Sequence, residues 1–148
     1  MINVDEMIMD AIKSEDSVKL MVARLLKNEI SKFKTAKNAK PYTEVEEINL
    51  IQKMITQRED SLEQYSKAGR FDLMIDEKNE LMLLKTLIPE PVKESEIYDW
   101  LSVYCVEQGW QPLTIPKKFM GSVIKDAKAE FPTANGKMIS EIVKENLE

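Results

Sequence analysis

Histidine is absent from this chain, and cysteine occurs once, at Cys105. The first absence excludes Cys–His and Ser–His–Asp catalysis and any histidine-ligated metal. General acid–base work would fall to Asp, Glu, Lys or Tyr. The second excludes an internal disulfide, and Cys105 at helical spacing reads as a buried small apolar side chain. Glycine is scarce, at four residues in 148, while Leu, Ile, Met, Glu and Lys abound, which favours helix. No stretch approaches the roughly 20 apolar residues of a membrane span. Met1-Ile2-Asn3-Val4-Asp5-Glu6 lacks the basic region and apolar run of a signal peptide. A cytoplasmic protein with no membrane partner is expected.

Basic residues are outnumbered, 21 to 26, for a net charge of −5, but they are unevenly spread. Lys19 to Lys40 holds seven basic residues and one acid, Glu29. Lys117 to Lys144 holds six lysines against Asp126, Glu130 and Glu141. Two basic stretches in an acidic chain suit either a local anionic partner or plain solvated helix faces.

Strand-like alternation is missing as well, so the expected fold class is all-α. Val4, Ile8, Ala11 and Ile12 mark a short first helix. Val18, Val22, Leu25, Leu26, Ile30 and Phe33 form the apolar stripe of a second, from about Ser17 to Ala36, with Arg24, Lys27, Ser31 and Lys34 opposite. Thr43-Glu44-Val45-Glu46 is a capping box. The third helix then carries Ile48, Ile51, Ile55, Arg58, Leu62 and Tyr65 at alternating spacings of three and four, the seam of close helix packing. Gly69 suits the left-handed position that stops it. A fourth helix, about Phe71 to Leu87, ends before Pro89 and Pro91, where a domain boundary is expected: residues 1–88 as a four-helix unit and 89–148 as a three-helix unit. In the second unit, helices are expected from about Ser95 to Gln108, from Pro116 to Glu130, and from Lys137 to Asn146.

Two charges fall on apolar stripes: Glu29 on the second helix and Arg58 on the third. An ionised group there needs a partner. The expectation is that they either meet, with the guanidinium fork holding the carboxylate, or both reach the rim.

The order of motifs resembles the GatB/YqeY family, small helical proteins related to the tail of the B subunit of the tRNA-dependent Asp/Glu amidotransferase. Arg24-Leu25-Leu26-Lys27-Asn28-Glu29 looks like the family's Arg-x-hydrophobic-Lys-x-Glu helix. Gln57-Arg58-x-Asp60-Ser61, Tyr65-x-Lys67-Ala68-Gly69-Arg70-x-Asp72-Leu73, Glu77-x-x-Glu80-Leu81 and Ile88-Pro89 follow the YqeY pattern. Phe119-Met120-Gly121-x-Val123 and Asn135-Gly136-Lys137 resemble its C-terminal part. Lys125 stands near a place where the family often has a second glycine, and Lys93 where it has a hydroxyl cap.

The resemblance implies a tRNA-associated accessory module without chemistry of its own, although the family is tied to glutamine-using carbon–nitrogen ligases. It implies tRNA, and proteins of the amidotransferase or tRNA-synthetase type, as partners. No catalytic set, metal site or cofactor is expected. The candidate nucleic-acid residues are Lys117, Lys118, Gly121, Lys125, Lys128, Gly136 and Lys137, with a second basic patch at Arg24, Lys27 and Lys34. Glu29, Arg58, Gly69 and Arg70 are expected to be structural; the Ala68-Gly69-Arg70 corner reads as a helix stop with Arg70 pairing to an acid, or as a binding site. Tyr98, Trp100, Tyr104 and Trp110 read as core of a small domain, or as platforms for unpaired bases. Glu77 and Glu80 read as charges at the interdomain seam. The alternative to RNA binding is a protein–protein interaction or structural helical module.

Overall fold

The structure is a computed structural model that describes residues 1–148. It is all-helical: α1 (Val4–Lys13), α2 (Ser17–Thr35), α3 (Glu44–Lys67), α4 (Phe71–Thr86), α5 (Glu94–Glu107), α6 (Met120–Glu130) and α7 (Gly136–Glu145), with a 3-10 turn at Lys117–Phe119. None of these helices is long and apolar enough to cross a membrane. The chain divides into two compact units, Met1–Pro89 and Glu90–Glu148.

Local chemistry accounts for most helix ends. Asn3, Asp16 and Thr43 cap α1, α2 and α3, each accepting from a backbone N–H three residues on. Lys93 has no acceptor to offer α5, and Glu96 instead reaches back to the Lys93 N–H at 3.3 Å. That supplies the return half of a capping box. At the end of α3, Gly69 has φ +69°, the Arg70 N–H donates to Tyr65 O, and the Gly69 N–H donates to Ser66 O. This paired arrangement satisfies two terminal carbonyls and needs the left-handed residue. Gly109 repeats it after α5.

The first unit closes around Val22, Leu26, Ile51, Met54, Leu81 and Leu84. Its packing partners are α1 with α2, and α3 and α2 with α4. The second unit closes around Ile97, Leu101, Cys105, Val123, Ile139 and Val143. Ile115 is fully buried and ties the chain end: its N–H donates to Asn146 O, and Glu148 N–H donates to Ile115 O.

Candidate functional site: a lysine face and an acidic cleft

The second unit carries the first candidate. In α6, Gly121, Lys125 and Lys128 are spaced i, i+4 and i+7, so they share one face, and all three are exposed. The opposite face buries Val123 and Ala127. Lys117 and Lys118 lie exposed on the 3-10 turn that leads into α6, Lys118 with its ammonium 5.1 Å from the Phe119 ring centre. Lys137 is exposed in the first turn of α7 and reaches Glu141 only at 4.0 Å. Lys117, Lys118, Lys125 and Lys128 make no ion pair. Asp126, the acid nearest in sequence, is instead taken by the Tyr104 hydroxyl at 2.6 Å. Burial, then that hydrogen bond, push the Tyr104 phenol up to about 12.

The lysine side chain of Lys128 folds over Gly136, its Cε 3.5 Å from where a Cβ would stand. Gly136 opens α7, whose N-terminal end carries partial positive charge. A cation held there is poorly placed unless an anion joins it. Gly121 has open space around it, so no close backbone approach requires a glycine at that position.

The aromatic residues form one connected row. Trp100 stacks on Tyr104 at 4.7 Å and meets Phe131 edge-on, while Trp110 bridges Tyr104 to Phe119. All pack on the second core and are half-buried, so their faces are committed to one another. Tyr98 instead donates to Glu145 at 2.8 Å.

The second basic patch is partly neutralised. Lys27 pairs with Asp5 at 2.8 Å, and the Lys34 ammonium lies 5.0 Å from the Tyr42 ring centre. Both lysines line a shallow cleft of about 380 Å³ beside the start of α1, and Arg24 does not. Beneath it lies a buried acid that the sequence reading missed. Glu47 accepts from the Ile2 N–H at 3.0 Å and the Tyr42 hydroxyl at 2.8 Å. The available signal was its spacing from Ile51, Met54 and Arg58, which puts all four on one stripe of α3.

The expected Glu29–Arg58 meeting does not occur. Glu29 pairs with Lys32 one turn along its own helix, at 3.2 Å. Arg58 reaches α4 instead: its Nε donates to Glu80 at 2.9 Å and lies 3.5 Å from Glu77. Glu77 and Glu80, expected as charges at an interdomain seam, gather around Arg58 inside the first unit. The reason is visible on α4, where both glutamates share a face with Leu73, Leu81 and Leu84. Two carboxylates on a buried face outweigh one on the edge of α2. Arg58 and Glu80 side chains keep only 17% and 9% exposure.

Glu77 is left short. An arginine Nε carries one hydrogen, and here Glu80 takes it. The Glu77 Oε2 is buried without a hydrogen-bond partner. Burial pushes the Glu77 carboxyl above its ordinary range; Arg58 opposes the rise, and Glu80 and Asp76 add to it. Around this group opens a cleft of about 420 Å³, between the start of α2, the end of α3 and α4. Tyr65, Leu73, Glu77 and Glu80, quoted above from separate motifs, meet in its wall. Arg70 lies outside it, forked onto Asp72 at 3.2 Å through both Nε and Nη2, which holds the Asp72 carboxyl below its ordinary range.

No curated protein sequence matches the chain. A family model of YqeY-like proteins matches residues 2–147, nearly its whole length. On that match, which an all-helical structure suits, the chain belongs to the YqeY-like protein family.

Proposed function

We propose that this protein is a tRNA-associated accessory module, related to the amidotransferase tail and acting without chemistry of its own, whose second unit docks on the phosphate backbone. The observation that carries the reading is the set of four lysines, Lys117, Lys118, Lys125 and Lys128, left without carboxylate partners in a chain of net charge −5. Acids are available in that unit, yet Asp126 is held by Tyr104. Unpaired lysines on one helix face and the adjoining turn offer point charges to phosphates, which position a nucleic acid without reading its sequence. In this reading residues 1–88 and 89–148 act as separate domains of a cytoplasmic protein. Arg24, Lys27 and Lys34 serve as a weaker second contact, and proteins of the amidotransferase or tRNA-synthetase type share the tRNA.

The test is fluorescence anisotropy of labelled bulk tRNA across a potassium chloride series. Four phosphate contacts predict a fall of log K against log salt with a slope of about −3. The Lys125→Glu, Lys128→Glu double variant should flatten that slope by about two. Binding that ignores salt, or none at micromolar protein, overturns the proposal.

A second reading, a protein–protein interaction module without RNA, is favoured by one observation. Phe71, Ile75 and Met82 form an outer stripe on α4 and are 65%, 64% and 67% exposed. Capture of a specific protein by a chain that binds no tRNA would select it.

A further inference from the structure

The cleft beside the start of α1 combines cations, apolar side chains and a fixed aromatic ring. At about 380 Å³ it lies at the small end of the roughly 300–1,000 Å³ of small-molecule sites. That is room for one planar ring and its attached groups, not for a duplex or a helix. Lys27, Ser31 and Lys34 stand at i, i+4 and i+7 on α2, so they share the face that walls it. Ile2, Val4 and Ile30 supply its apolar surface. Tyr42 completes the wall: its hydroxyl donates to the buried Glu47 at 2.8 Å, and Phe33 meets its ring edge-on with centres 5.8 Å apart. The segment that leads into Tyr42 is basic. Lysine recurs every third residue, at Lys34, Lys37 and Lys40, and none of the three has an ion-pair partner. Lys37 and Lys40 are exposed in the loop between α2 and α3, and Lys34 holds its ammonium 5.0 Å from the Tyr42 ring centre. The acids at the cleft are already engaged, Asp5 by Lys27 and Glu47 by the Ile2 N–H and the Tyr42 hydroxyl.

We propose that this cleft seats one unpaired nucleotide of a single-stranded RNA segment, its base on the Tyr42 ring and its flanking phosphates on the lysines of the α2–α3 loop. The seat rests on the reading of the protein as RNA-associated, and adds a base to the phosphates taken by the second unit. Stacking of a base on a fixed aromatic ring is worth more than one exposed ammonium over the same ring. The base therefore displaces Lys34 from the Tyr42 face, and the freed ammonium moves to the adjoining phosphate. Lys37 and Lys40 hold the next phosphates as point charges. Ser31, between Lys27 and Lys34 on the same face, offers its hydroxyl to the ribose. Paired bases inside a duplex present no free face to the ring, so the seat selects a single strand.

The experiment is an NMR titration of the full chain, read at backbone amides and the Tyr42 ring protons. The probes are single-stranded tetraadenylate RNA, AMP, ribose 5-phosphate and a blunt-ended RNA duplex. The tetranucleotide should give saturable shifts at Ile30, Ser31 and Tyr42. Ribose 5-phosphate, which lacks the base, should bind at least fivefold more weakly than AMP. Tyr42→Leu should weaken the tetranucleotide at least fivefold, and Tyr42→Phe should restore most of the loss. Both variants lose the bond to Glu47, so their difference reads the ring; unchanged Ile51 and Leu84 signals would show the core intact. Lys37→Glu, Lys40→Glu, at exposed positions, should weaken the tetranucleotide at least threefold. Ribose 5-phosphate binding as well as AMP, or equal affinity of the Leu and Phe variants, overturns the stacked base. Equal Tyr42 shifts from the duplex overturn the choice of a single strand, and AMP binding as tightly as the tetranucleotide overturns the RNA source. Absence of any shift at Tyr42, with salt-sensitive tRNA binding retained, sinks this seat alone. Shifts at Tyr42 with tRNA binding unchanged by Lys125→Glu, Lys128→Glu sink the lysine face alone.

Discussion

Arg58 and Lys125 carry the same charge in opposite surroundings. Arg58 lies in the first unit, 17% exposed, bonded to Glu80 and close to Glu77. Lys125 stands on the open face of α6 in the second unit and makes no ion pair. The contrast extends across the two units. The first encloses Glu47 and Glu80, each held by named donors. The second encloses no charged residue, and its core is apolar with a row of aromatic rings on it. An enclosed charge must find its partner inside the fold, so it helps define which helices meet. A free charge adds little to stability and stays available for a ligand.

Removing an enclosed charge should produce the largest effect. Arg58→Met leaves Glu80 buried and unpaired, a loss of about 3–5 kcal/mol in urea unfolding. The double change Arg58→Met, Glu80→Leu should recover most of it. A single variant within 1 kcal/mol of the parent would show that the ion pair does not shape the first unit. Next comes an apolar truncation in the second unit, where no charge network competes. Leu101 is fully buried, and Leu101→Ala should cost about 3 kcal/mol. If the units unfold separately, the loss appears only in the transition of the second unit; a shift of both transitions would join what the comparison separates.

The smallest effect concerns pH. Glu77 binds its proton more tightly in the folded chain than in the unfolded one, because burial raises its pKa. The folded state is then favoured below the ordinary glutamate range. That contribution is lost as pH rises through the raised value. Glu77→Gln should flatten this part of the stability–pH curve and leave the protein at least as stable at pH 7. A variant less stable at pH 7 would mean that Arg58 outweighs burial at this site.

The legible and illegible parts divide along the same lines. Thr43 and Gly69 could be read as a helix start and a helix stop because their signals act within a few residues. That Gly121, Lys125 and Lys128 share a face follows from spacing, while the burial of Val123 and Ala127 makes that face the exposed one. The partner of Arg58 could not be read the same way. Glu29 was the other charge that fell on an apolar stripe, yet Glu80, 22 residues on, receives the Nε hydrogen. Glu47 was hidden more deeply, since its donors are a backbone N–H 45 residues away and a tyrosine in the preceding loop.

By itself the sequence determined seven helices, their breaks and the lack of strands, because caps, glycines and 3.6-residue periodicity are local properties of the chain. Tertiary structure alone decided which acid meets Arg58, that Asp126 is withdrawn from the lysines, and that Tyr65, Leu73 and Glu77 wall one cleft. Those outcomes depend on distances between helices brought together by packing. Charges act over a few ångströms in space, whatever their separation along the chain.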